Sequence, residues 1–172
     1  MTHAFDRLEV RKARTADLET VLSILEDAAR WIVHQRLPGW TPGSFSRRRI
    51  AEIVGRGEMY LALLADQAVG TFALQWSDEE TWGRVSDNAG YIHGLAVHRD
   101  FAGMGVGREL LGWTENRVFQ SGKKCLRLDC TAGNDALDAN YRRAGFVYRG
   151  RAMVRGLGVS LYEKRVGVSG SG

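Results

Sequence analysis

Two prolines and two cysteines are all that the 172 residues contain of either type. So few cysteines exclude a disulfide scaffold. Cys125 and Cys130 also lack the paired spacing of a zinc site, and no metal is expected; five apart on a strand-like run, they point to opposite faces and read as buried free thiols. Nowhere do about 18 uncharged apolar residues run together, which excludes a spanning helix. Met1–Arg14 carries charges throughout and has no apolar centre, unlike a secretory signal, so a cytoplasmic protein without a membrane partner is expected. Neither charge sign dominates, with 24 basic against 20 acidic residues and a net charge of +4, which permits an anionic partner without demanding one. No recognition motif or stacking platform accompanies the basic residues, so no nucleic-acid partner is expected. What the chain has in quantity is glycine, 21 residues of it.

The remaining composition, 44% apolar and 26% charged, is that of one globular domain, expected over residues 1–166, with a frayed tail at 167–172. Leu8, Val10 and Arg11 alternate as a first strand would. Thr15 then offers an N-cap, with Asp17 and Glu19 in the first turn, and Leu18, Val21, Leu22, Leu25, Ala29 and Ile32 form the stripe of an amphipathic helix reaching about Gln35. Residues 44–56 read as a second helix. Residues 59–65 and 68–76 read as a hairpin turning at Asp66 and Gln67, and residues 77–89 as an exposed acidic loop. A strand at 90–97, a glycine-rich turn, a helix at about 106–121 and a strand at 125–131 follow, which is the order of a right-handed crossover between parallel strands. A short helix at 134–144 and two strands at 146–154 and 160–166, separated by Gly156 and Gly158, complete an α/β order.

The crossover turn holds Gly103, Gly105 and Gly107, alternating where a strand gives way to a helix. Unpaired amides at a helix N-terminus bind anions, and glycine lets the backbone approach phosphate oxygens closely. The third glycine comes one residue too early for a Rossmann fingerprint, and Gly107-Arg108-Glu109 lacks the Lys-Ser/Thr of a P-loop. Dinucleotides and nucleoside triphosphates are therefore disfavoured.

The strand plus turn resembles the acyl-CoA-binding motif of the GNAT N-acetyltransferase superfamily, Gln/Arg-x-x-Gly-x-Gly/Ala, with Ala102 where that family usually has Arg or Gln. Downstream, Asn134, Leu137, Tyr141, Arg142, Gly145 and Phe146 are similar to the family's Asn-x-x-Ala-x-x-x-Tyr-x-x-x-Gly-Phe segment. The resemblance implies a mixed, mostly antiparallel central sheet with a splayed parallel strand pair, helices on both faces, and acetyl-CoA as co-substrate. The pantetheine arm would lie between strands 90–97 and 125–131 and pair with Leu95, Ala96 and Val97. Backbone amides of Gly103, Met104, Gly105, Val106, Gly107 and Arg108 would hold the pyrophosphate, and Asn134 would bond the cofactor or act as a plain helix N-cap.

Acetyl transfer to an amine requires that the ammonium lose a proton and the leaving thiolate gain one. Tyr141 matches the family's tyrosine general acid, and its alternative is a core aromatic beside Phe146. His93 and Tyr91 share a strand face before Leu95 and are the candidate bases. Trp31, Trp40 and Trp76 are candidates for the acceptor wall, and Asp87, with Glu79 and Glu80, for attracting a cationic acceptor. The expectation is an N-acetyltransferase acting on a small-molecule amine by direct attack in a ternary complex. A protein or peptide amine, and a non-catalytic acyl-CoA-binding regulatory module, are the rivals; homodimerisation is open.

Overall fold

A computed structural model describes residues 7–85 and 87–167; the expected frayed end beyond Gly167 lies outside them. Seven strands form one sheet in the order β1-β2-β3-β4-β5-β7-β6, with β1 at Leu8–Lys12, β2 at Met59–Leu64, β3 at Gln67–Gln75, β4 at Ala89–Val97, β5 at Cys125–Thr131, β6 at Val147–Val154 and β7 at Leu157–Arg165. Five helices accompany them: α1 Leu18–His34, α2 Arg47–Gly55, α3 Glu79–Trp82, α4 Val106–Gln120 and α5 Asp135–Arg143. Of the strand pairings with a described register, β4 with β5 is parallel and the rest are antiparallel. The chain divides into two compact units, one of residues 1–36, 40–73 and 94–110, the other of 37–39, 74–93 and 111–172.

In the first unit, the apolar stripe of α1 supplies Val21, Ile24 and Leu25 to a core shared with Ile50 and Val54 of α2 and with Met59, Leu61, Ala73 and Ala96 from strands. Thr15 does not cap α1. Residues 15–17 form a 3₁₀ turn, and the Asp17 carboxylate accepts from the Arg14 amide at 2.8 Å and from Arg11 Nη1 at 2.7 Å. An aspartate serves both groups at once, which a threonine hydroxyl cannot. α2 begins later than expected, at Arg47, because the Ser46 hydroxyl takes the Arg49 amide at 3.2 Å. The β2–β3 hairpin turns at Ala65 and Asp66, both in left-handed backbone (φ 49° and 66°), one residue before the expected position. That geometry matches strand twist, and here it overrides the poor fit of alanine to positive φ.

In the second unit, β5, β7 and β6 make a three-stranded ribbon, and Tyr141 of α5 packs on it, 5.6 Å from the Tyr162 ring and 6.0 Å from Phe146. The β6–β7 turn is Arg155–Gly156, both at positive φ, whereas Gly158 lies inside β7 rather than in the turn. The loop expected at 77–89 is not all exposed. It carries the single turn α3, capped by Asp78, and Trp82 Nε1 is buried.

Candidate active site

The parallel ladder of β4 and β5 runs over Ala89–Ile92 against Cys125–Leu128 and stops there. Two residues later Gly94 sits at φ +60°, a backbone that L side chains rarely adopt, so glycine is required there for conformation.

Leu95, Ala96 and Val97 belong to the first unit and lead through a 3₁₀ turn at Arg99–Phe101 into the glycine turn. Gly103 and Gly105 take φ +74° and +88°, so glycine is required there for conformation. A Cβ on Gly103 would meet nothing within 4 Å, which leaves the backbone open on that side. α4 then starts at Val106, and helix geometry leaves the amides of Val106, Gly107 and Arg108 without intrahelical partners; the first helical bond in this stretch is Glu109 N–H to Gly105 O at 3.1 Å. Met104 is exposed.

Also in the first unit, Trp31 carries the Arg99 guanidinium 3.8 Å over its ring, a cation–π contact that already uses one face. Trp40 packs edge-on against Phe45 with centroids 5.4 Å apart and borders the core.

The second unit holds most of the ionisable side chains of interest. Register places Tyr91 beside Arg127 and Arg127 beside Glu163, and alternation puts His93 and Asp129 on the same face. Arg127 donates to Tyr91 Oη at 2.8 Å and to Glu163 Oε2 at 2.7 Å, while Arg149 reaches Glu163 Oε1 at 2.9 Å. Burial works against the Glu163 charge, yet hydrogen bonds from the two arginines hold its pKa below the ordinary value. Tyr91 is thus tied into an ion-pair network, which leaves His93 as the freer of the two candidate bases.

His93 stands between two carboxylates. Its Nε2 is 3.2 Å from Asp78 Oδ2 and its Nδ1 is 3.8 Å from Asp129 Oδ1. Asp78 is held through Oδ1, which accepts the Thr81 amide at 3.1 Å as the α3 cap; Oδ2 is buried and makes no hydrogen bond among the described residues. Burial pushes the Asp78 pKa up, but the His93 ring and the Thr81 amide outweigh it and the net direction is down. Asp129 goes the other way, raised by burial and by the Asp78 charge against the pull of His93.

Tyr141, 9% exposed, is driven upward in pKa by burial, then by the nearby Cys130 and Asp129, so its hydroxyl stays protonated at neutral pH. Burial likewise pushes the Cys130 thiol up to about 11. The Asn134 side chain accepts the Leu137 amide at 3.1 Å, capping α5, and donates to the Pro38 carbonyl at 3.2 Å. Trp76 is 37% exposed, and Asp87 is at the surface in an ion pair of 2.7 Å with Lys123, away from the His93 cluster's own contacts.

Asp78 and Asp129 escaped the reading of the sequence. Asp129 had a signal, the alternation that shares a strand face with Arg127. Asp78 had none, because the single helical turn that fixes it is too short to show periodicity.

The acetyltransferase (GNAT) family matches residues 23–146, more than half of the chain. An uncharacterised N-acetyltransferase of Bacillus subtilis (strain 168), YesJ, is 30% identical over 159 residues, covering 87% of this chain and 86% of its own. The chain belongs to the GNAT acetyltransferase family. Among solved structures, an acetyltransferase of that family from Listeria monocytogenes 4b F2365 superposes with a TM-score of 0.79 at 24% identity, covering 92% of this chain and 95% of that one. The PaiA N-acetyltransferase from Thermoplasma acidophilum, in complex with coenzyme A, gives 0.70 at 16% identity and covers 92% and 98%. Both likenesses concern the fold.

Proposed function

We propose that the protein transfers the acetyl group of acetyl-CoA to a primary amine of a small molecule, by direct attack in a ternary complex, with residues 1–166 as one catalytic domain. The observation that carries the reading is the glycine turn: left-handed Gly103 and Gly105, open space at Gly103 and unpaired amides at the start of α4 fit a pyrophosphate. The coenzyme A complex of the Thermoplasma relative supports the choice of cofactor. When bound, acetyl-CoA supplies an activated acyl group with a thiolate leaving group.

The chain's own residues do the rest. Amides of Met104, Gly105, Val106, Gly107 and Arg108 would neutralise phosphate charge, and the backbone of Leu95, Ala96 and Val97 would pair with the acyl arm, with the Val97 amide as the candidate donor to the reacting oxygen. Asn134 braces the first turn of α5 and keeps one amide hydrogen free for the cofactor. Tyr141, kept protonated by burial, donates its proton to the leaving sulfur, and His93 removes one from the acceptor. A Cys130 thiol with a pKa of about 11 is a poor nucleophile at neutral pH, which favours direct transfer over an acetyl-cysteine. Trp31, Trp40 and Trp76 are the candidate acceptor contacts of this reading. No described helix is long and apolar enough to cross a membrane.

The test is thiol release from acetyl-CoA across a panel of amines, with coenzyme A binding measured in parallel. Turnover with at least one amine is expected. Tight binding without turnover for any amine overturns the transferase reading in favour of a binding module.

A further inference from the structure

One face of the β5–β7–β6 ribbon leaves a pocket beside α5. Register sets Cys130, Ser160 and Arg151 side by side across the three strands, with Leu128, Tyr162 and Tyr148 as the next row. Arg151 comes three residues after Tyr148, a spacing that strict alternation would send to the opposite face. The register shift between Tyr148 and Gly150 supplies the extra residue, with Gly150 at φ +119°, and aims Arg151 back onto the row of Ser160. Asn134, Asp138 and Arg142, spaced one helical turn apart, present one side of α5 to the same pocket. Its volume is about 250 Å³, below the roughly 300–1,000 Å³ of sites for drug-sized molecules, so its occupant is small.

The lining favours an anion. Ser160 is only 8% exposed, and its hydroxyl makes no hydrogen bond among the described residues. Buried hydroxyls are normally paired, so this one points to a partner from outside the chain. Arg151 has no carboxylate partner among the described residues, whereas Arg142, Arg149 and Arg155 hold Asp138, Glu163 and Glu80. The Asp138 carboxylate is already occupied, Oδ1 accepting from Tyr162 and Oδ2 from Arg142. Asp135 is exposed in the first turn of α5, where it offsets the positive end of the helix dipole. The Cys130 thiol, which burial pushes up to about 11, carries no charge at neutral pH.

We propose that this pocket is a binding site for a small organic anion, whose carboxylate or phosphate oxygens accept from the Arg151 guanidinium and the Ser160 hydroxyl. Arg142 stays on Asp138 through Nε and offers its remaining N–H groups. The Tyr148 ring, 5.5 Å from the Arg142 guanidinium, flanks the carbon body of the ligand. The site lies wholly within the second unit and shares no residue with the glycine turn. It does include Asn134, the candidate cofactor contact, so a phosphate of the cofactor itself is the rival occupant. A cation finds no unoccupied carboxylate in the pocket other than the exposed Asp135.

The test is calorimetric titration at constant ionic strength of inorganic phosphate and succinate, with n-butylammonium and glycerol as controls, into wild type, Arg151→Gln and Ser160→Ala. Phosphate or succinate should bind saturably with a Kd of about 1 mM or tighter, and the stronger of the two identifies the anionic group. Arg151→Gln should raise that Kd about tenfold or more, because a hydrogen bond to a charged group is lost. Ser160→Ala should raise it about threefold to tenfold while Tm stays at or above wild type, since the hydroxyl removed has no partner within the chain. Saturation with coenzyme A should leave the anion Kd unchanged. No saturable anion binding, equal binding of n-butylammonium, or a Ser160→Ala protein with lowered Tm and unchanged anion affinity would each overturn the proposal. Anion binding abolished by coenzyme A would give the pocket to the cofactor and overturn it as well. Anion binding that depends on Arg151, in a protein that releases no thiol with any amine, would uphold the pocket and defeat the transferase reading alone.

Discussion

Arg127 joins Tyr91 to the sheet, its Nη1 donating to the tyrosine oxygen at 2.8 Å while its Nε holds Glu163 at 2.7 Å. The Arg127 and Glu163 side chains are 11% and 12% exposed, so the pair is largely shielded from water. Replacing Arg127 with the shorter, uncharged leucine leaves Glu163 with Arg149 alone and strips the Tyr91 hydroxyl of its donor. Arg127→Leu should therefore cost about 3 kcal/mol, a fall of roughly 6–12 °C in Tm for a chain of this length, read by thermal denaturation.

Asp17 gives a stability term with a defined pH window. The Arg11 hydrogen bond, with help from the Arg14 amide and against the cost of burial, brings its pKa from 3.8 to about 2. A folded-state pKa below the unfolded one means that the unfolded chain binds more protons, so the contribution is complete above about pH 5 and disappears as pH falls toward 2. The shift corresponds to about 2 kcal/mol. Urea unfolding at pH 6 and pH 3 should show Asp17→Asn losing most of that amount at pH 6 and about half as much at pH 3.

Gly90 is a packing requirement in the second unit. A Cβ there would lie 2.6 Å from Val118 Cγ2, 3.2 Å from Trp76 and 3.3 Å from Leu74, and a branched valine cannot swing aside as a long side chain would. Gly90→Ala should destabilise by about 1–3 kcal/mol through overpacking. Gly55, at the end of α2, has nothing within 4 Å of its would-be Cβ, so Gly55→Ala should instead stabilise by about 0.5–1 kcal/mol. Chemical denaturation of both variants separates the effects.

The contrast between those glycines shows what the amino-acid sequence carries and what it does not. Gly103 and Gly105 were legible because alternating glycine between a strand and a helix is a local pattern with a local cause, positive φ. α1 was legible because its stripe runs over four turns. Gly90 looks like any strand glycine, since its constraint comes from Val118 on a helix far along the chain. Ala65 conceals a left-handed turn because strand twist, not side-chain preference, decides it. The His93 cluster was half legible: the strand histidine stood out, but Asp78 reaches it from a loop through a single helical turn. The packing of Trp40 on Phe45 was hidden in the sequence for the same reason, as both lie within an irregular segment where no periodicity shows a core.

Tyr141 combines a packed ring with a hydroxyl held neutral, and the two roles separate by substitution. Tyr141→Phe keeps the ring against Phe146 and Tyr162, so the fold and acetyl-CoA affinity should remain, whereas Tyr141→Ala would open a core cavity at about 3–5 kcal/mol. Loss of the proton donor should lower kcat about 100-fold or more. A purely structural role could also depress kcat, so the decisive comparison uses two acetyl thioesters, one of coenzyme A and one of a more acidic thiol. An acidic thiol leaves without needing a proton, and the gap between wild type and Tyr141→Phe should shrink with that donor. An equal gap with both would assign Tyr141 to packing.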